Sequence, residues 1–131
     1  MTDIQPRTTE YQVPDDPSWL GSAHGLDATD TITLDVAAFT AGTAYPNGYI
    51  PSGTPLAKIT ATGLYGPYTT ANTTTGIGVL AGHLVASKAV KAADAKIVAA
   101  ILTHGKVREA NLFLPVDADG KADVAGRIQY V

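Results

Sequence analysis

A chain of 131 residues with nine bases, twelve acids and no cysteine fits one domain with a modest core, and it excludes disulfide frameworks and thiolate metal sites. The net charge of −3 hides an asymmetry. Residues 1–35 hold Asp3, Glu10, Asp15, Asp16, Asp27, Asp30 and Asp35 against Arg7, whereas the later bases are scattered among carboxylates, a pattern that speaks against a nucleic-acid partner.

The N-terminus, MTDIQPRTTEYQVPDD, has neither a basic start nor an apolar stretch, and no apolar run in the chain is long enough to span a bilayer. The sequence reads as a soluble protein made in a reducing cytoplasm, with no membrane partner. Residues 1–30 contain Pro6, Pro14 and Pro17, many acids and hydroxyls, and few apolar side chains, so they are expected to form an extended, flexible arm. Tyr11, Val13, Trp19 and Leu20 are its candidate anchors. Trp19 either folds back on the body or anchors a partner.

A second domain boundary is not indicated, and the body is expected to span residues 31–131. TITLDVAAF, residues 31–39, alternates Ile32, Leu34 and Val36 with polar neighbours, the period-two signature of a half-buried strand. Residues 41–68 are punctuated by four prolines, Pro46, Pro51, Pro55 and Pro67, and by glycines, which leaves room only for short strands such as Leu56 to Thr60. From Val36 to Ser87 the sole charged side chain is Lys58. A surface so neutral suits covering better than solvation.

TTANTTTG, residues 69–76, reads as a polar loop, and GIGVLAGHLVA, residues 76–86, as a buried strand whose glycines demand close packing or a bulge. Residues 87–104 fit either a helix, by their alanines and lysines, or a buried strand, by the run Ile97 to Leu102. In KVREANLFLP the alternation set by Val107 loses parity after Arg108, which predicts a strand ending in a bulge or short helical turn. VDADGKAD reads as an Asp/Gly turn, and GRIQYV as a last short strand. The fold class is mainly β with little helix (α+β).

No catalytic motif emerges. GxSxG, P-loop, GxGxxG and HExxH patterns are all missing from the sequence, so an enzyme is not expected and no cofactor is implied. His83 and His104 could face each other as ligands across strands, but ordinary hydrogen bonding is the favoured reading. Asp117, Asp119 and Asp123 around Gly120 lack the glycine and glutamate positions of an EF-hand loop. No metal site is expected.

At TPLAKI, then TTTGIGVLAGHLVA, then HGKVREANLFLP, the chain resembles the head decoration proteins of lambda-like tailed bacteriophages. Gly105, Arg108 and Pro115 fall at that family's spacing, Thr54-Pro55-Leu56 matches the start of its body, and Gly78 to Ala81 its small-and-aliphatic strand. The resemblance covers roughly residues 51–131 together with the position of the arm. Three features depart from it: a longer stretch around Ser87 to Ala95, a shorter tail after Pro115, where the family has a helix, and residues 31–50, which have no clear counterpart.

The resemblance implies a compact β-tulip-like domain that binds the major capsid protein on the outer surface of the expanded head. There it would sit as homotrimers at threefold or quasi-threefold points and stabilise the shell against internal DNA pressure, with the arm adding a strand to an exposed capsid sheet edge. In that setting the neutral segment is expected to supply subunit contacts through Tyr49, Pro51, Pro55, Leu64, Tyr65 and Tyr68. The alternative is a small β-domain of a virion fibre or spike that binds host carbohydrate through Tyr45, Tyr49, Tyr65 and Tyr68.

Overall fold

A computed structural model describes residues 16–22, 25–26, 29–70, 75–91 and 95–131. Among them run nine strands: β1 (Asp30–Asp35), β2 (Tyr49–Ile50), β3 (Pro55–Lys58), β4 (Tyr65–Pro67), β5 (Gly82–Leu84), β6 (Lys88–Ala89), β7 (Lys96–Leu102), β8 (Gly105–Val107) and β9 (Ile128–Tyr130). Two short helices, α1 (Ala41–Ala44) and α2 (Ala118–Asp123), and several 3-10 turns complete the described elements. The chain is mainly β with little helix.

Five strands close into a barrel in the order β1-β4-β3-β5-β7, and β7 returns to β1. The closing seam is the longest, an antiparallel ladder running from Asp30 opposite Ile101 to Asp35 opposite Lys96. β1 meets β4 in parallel, with Leu34 opposite Tyr65, and the other neighbours are antiparallel. Closure leaves these strands no open edge. Two further pairs stand outside the barrel: antiparallel β2 and β6, and parallel β8 and β9.

The alternation in β1 works as its sequence predicts. Ile32 and Leu34 are buried in the barrel, and the strand stops where Asp35 accepts a hydrogen bond from the Ala37 amide at 3.2 Å, capping a 3-10 turn over Val36–Ala38. In the ambiguous segment 87–104, β7 is a strand despite its helix-favouring alanines and lysines. Six cross-strand partners in β1 and burial of Ala99 and Ile101 outweigh intrinsic propensity there.

Successive β7 residues face different cores. Ile101 enters the barrel with Leu34, Ile50, Leu56 and Leu84, whereas Leu102 joins a second cluster of Trp19, Leu80, Val107, Val116, Val124 and Ile128. In β5, Leu84 is likewise in the first cluster, and its neighbour His83 is fully buried against Trp19 and Tyr130. β5 is buried throughout and β7 is buried at Ala99, Ile101 and Leu102, whereas Val98 of β7 turns outward and is 64% exposed.

Two expected elements differ. The strand expected over residues 76–86 is restricted to Gly82–Leu84. Upstream, Gly76 adopts φ +97° and its carbonyl accepts from the Val79 amide at 3.2 Å, which turns the chain. The close packing expected of these glycines is present at Gly82, where a Cβ would fall 2.2 Å from the Leu102 carbonyl oxygen. The Asp/Gly turn expected at VDADGKAD is instead α2. Asp117 caps it by accepting from the Gly120 amide at 2.9 Å, and Asp119 and Lys121 stand in its first and last turns, where each sign suits the helix dipole. After β8, a 3-10 turn over Glu109–Asn111 supplies the helical alternative read from the loss of parity.

Candidate interaction surfaces

The neutral stretch from Val36 to Ser87 divides into an inner and an outer part. Ser52, Gly53, Thr54, Pro55, Leu56 and Ala57 are all buried, and around them lies a hydrogen-bonded hub. The Trp19 indole N–H donates to Ser52 Oγ at 2.8 Å, and that hydroxyl donates onward to the Val85 carbonyl at 2.7 Å. The Ser52 amide donates to Ser87 Oγ at 2.8 Å. Thr54 Oγ1 donates to the Pro51 carbonyl at 2.7 Å. No buried side-chain nitrogen or oxygen among the described residues lacks a partner, so the neutrality of this part serves the protein's own interior.

Trp19 and Leu20 belong to that interior, which corrects their assignment to a capsid-binding arm. Trp19 is 1% exposed and Leu20 packs against the same cluster. The segment is fixed by backbone bonds: Leu20 bridges Val107, the Arg108 amide donates to the Trp19 carbonyl at 2.6 Å, and the Gly21 amide to that of Lys106 at 2.8 Å. Asn111 Nδ2 adds a bond to the Ser18 carbonyl at 2.9 Å. The chain thus joins the body by Pro17 rather than at residue 31. Tyr11 and Val13 lie outside the described residues, as do His24 and the loop segment 71–74.

The six side chains expected at a trimer interface do not share one surface. Tyr49 and Pro51 line a cleft of about 280 Å³ together with Asp16, Asn111, Leu112 and Phe113. Of all the residues lining it, only Asp16 is charged, and its carboxyl is held below the usual range by hydrogen bonds from Ser18. Phe113, 47% exposed, is the large apolar side chain on its rim. Sequence reasoning missed Phe113, although the loss of alternation after Arg108 marks the place where a hydrophobic side chain is turned outward.

Leu64 instead lines a wider cleft of about 830 Å³ with Tyr45, Phe39 and Thr62, where Asp35 and Lys96 face each other at the end of β1 and the start of β7. Pro55 is buried, opposite His83 in the barrel wall, and offers no contact surface. Tyr65 is half-buried against the first core. Tyr68 packs on α2, where its hydroxyl donates to Asp117 Oδ1 at 2.7 Å and its ring leaves no room for a side chain at position 120. Burial pushes the Tyr68 hydroxyl pKa up, whereas the Gly120 N–H and then the Tyr68 hydroxyl hold the Asp117 carboxyl down. Of the four tyrosines in the carbohydrate alternative, Tyr45 and Tyr65 pack against the first core, Tyr49 lines the cleft with Phe113, and Tyr68 lies on α2.

The favoured reading of the histidines is met at His83, whose two ring nitrogens bond to the Gly53 carbonyl at 2.8 Å and the Tyr130 hydroxyl at 2.7 Å. Neither is left for a metal. His104 is exposed, with Nδ1 3.1 Å from Thr103 Oγ1. Among the described residues no group of three or more His, Cys, Asp or Glu side chains is placed to hold a metal ion, and no helix is long and apolar enough to cross a membrane. Neither the protein-family models nor the curated proteins include a match to this sequence.

Proposed function

We propose that this protein is a structural decoration protein of a lambda-like phage head. It would bind the outer surface of the expanded shell as homotrimers at threefold or quasi-threefold sites and stabilise the major capsid protein lattice. The observation that carries the reading is the order and spacing of three segments, TPLAKI, TTTGIGVLAGHLVA and HGKVREANLFLP, which resemble the body of that family. Their strands β3, β5 and β8 line the two adjoining cores, consistent with one β-tulip-like unit.

Two surface features favour a role in assembly. The cleft between Tyr49, Pro51 and Phe113 joins apolar rings to backbone and amide groups with one carboxylate, a composition that permits close approach with little desolvation of charge. The cleft at Leu64 and Tyr45 offers a second contact, one that the Asp35 and Lys96 side chains also line. The residues before Asp16, with Tyr11 and Val13, would reach the shell, while Trp19 stays in the body.

The decisive experiment mixes purified protein with undecorated expanded heads and follows co-sedimentation, then cryo-electron microscopy of the pellet. Saturable binding with density at threefold positions supports the proposal. Failure to bind at tens of micromolar protein overturns it, and a positive glycan array in its place would move the reading to the carbohydrate-binding alternative.

A further inference from the structure

His83 ties together three segments that are not barrel strands. Its β5 neighbour Leu84 fills the barrel, while the imidazole, itself fully buried, stands between Trp19 and Tyr130 with ring centroids 5.7 Å from each. A carbonyl oxygen can only accept, so the 2.8 Å contact to Gly53 places the proton on Nδ1. Nε2 is then a bare lone pair, and the Tyr130 hydroxyl donates to it at 2.7 Å. One neutral ring thereby holds the N-terminal turn, the loop at Gly53 and the last strand.

Among the described residues no counter-charge stands ready for a second proton. β5 contributes Gly82 and Leu84, the cross-strand partner in β7 is Leu102, and the loop from Pro51 to Thr54 has no ionisable side chain. On the N-terminal turn Asp16 is exposed and bonded to the Ser18 amide, and on β8 Lys106 is exposed, as is Arg108 just after it. Near β9, Arg127 Nη1 is held by the Ala81 and Thr103 carbonyls. Lys121 lies 5.8 Å over the Tyr130 ring and pairs with Glu109. Burial pushes the Tyr130 hydroxyl pKa upward, with Glu109 adding to the shift, so Tyr130 remains a neutral donor. No carboxylate contacts the imidazole among the described residues.

We propose that His83 is an acid-sensitive latch: proton uptake at Nε2 releases the Trp19 turn and β9 from the barrel wall before the barrel itself comes apart. The added proton places a cation with no counter-charge in an apolar enclosure and forces the Tyr130 hydroxyl to turn from donor to acceptor. The fully enclosed side chains of the barrel cluster are all apolar, so that core takes up no proton.

The direction follows from the enclosure. Desolvation lowers the His83 pKa from 6.5 to about 4, opposed by the Gly53 carbonyl. A depressed value means that the closed latch is fully stabilised above the released value and weakens as pH falls from about 6.5 to about 4. Across that window the ratio of open to closed forms rises by up to roughly 300-fold.

The full chain carries its own reporter, because Trp19 is the only tryptophan. Its emission should shift to the red between pH 6 and 4 while the far-ultraviolet circular dichroism of the barrel is kept. Tyr130→Phe removes a bond that holds the latch closed, so less proton uptake is needed to open it and its emission transition should move to higher pH. His83→Gln, which does not titrate, should lose the transition in this window. The proposal is overturned if emission and circular dichroism change together, or if wild-type emission is constant down to pH 4. It is equally overturned if the Tyr130→Phe midpoint does not rise, a result that decides the matter even where His83→Gln fails to fold.

Discussion

Replacing Trp19 by alanine tests whether the chain joins its core at this residue. The indole is 1% exposed and covers Gly53 so closely that a Cβ there would lie 2.9 Å from ring atoms Cγ and Cδ1. Truncating a tryptophan in such a site costs about 3 to 5 kcal/mol in lost transfer free energy and residual cavity. Ser52 Oγ also loses the donor it accepts from, while keeping its own bond to the Val85 carbonyl. At roughly 3 to 5 °C per kcal/mol for a domain of this size, Tm should fall by about 10 to 20 °C. Circular dichroism melting at pH 7.5 measures it, since that pH keeps His83 neutral. Deleting residues 1–20 removes the same ring together with the Leu20 bridge to Val107, and should cost at least as much. A Tm within 2 °C of wild type for both proteins would refute the packing argument and return Trp19 to an arm.

Gly53→Ala should destabilise by roughly 2 to 4 kcal/mol in urea titration, because φ is +88° and the new methyl meets the indole. Asp117→Ala should lower Tm modestly by removing the α2 cap and the Tyr68 bond. Since the folded Asp117 carboxyl is held below its ordinary pKa of 3.8, its contribution is present above that value and fades as pH falls through the folded one, so the variant should show a shallower acid decline of Tm. Phe113→Asp should leave Tm close to wild type, because the ring is 47% exposed, yet abolish co-sedimentation with expanded heads if the cleft beside Tyr49 is the shell contact. Leu64→Asp should weaken trimers on the shell instead, and unchanged occupancy by cryo-electron microscopy would remove that cleft from the interface.

Local alternation was enough to read β1, because Ile32 and Leu34 need only the period of the strand to be buried. It was not enough for β7, whose β1 partners lie 61 to 71 residues away in sequence and override the propensity of its alanines and lysines. α2 was hidden by Gly120 at its centre. That glycine disfavours helix, yet the Val116 and Tyr68 side chains occupy the space a Cβ would need there. Trp19 was ambiguous for a similar reason: its partners Ser52, Gly53, His83 and Arg108 come from segments far along the chain, and its own neighbours say only that no local core exists.

A charge-free stretch has two physical causes, burial in the chain's own core and cover by something else, and sequence alone gives them the same appearance. Here the structure separates them residue by residue. Ser52 through Ala57 are enclosed by β5, the Trp19 ring and the Ser52 hydrogen-bond network, so a charge among them would be stranded without water or a partner. Tyr49, Pro51 and Leu64 retain exposure in two clefts whose charged lining residues, Asp16 in one and Asp35 and Lys96 in the other, come from outside the neutral stretch. A covering partner would meet those clefts together with the exposed Phe113 and, elsewhere in the neutral stretch, Val79. Aspartate at Pro55 should prevent folding, whereas aspartate at Phe113 should spare the fold and act only on assembly.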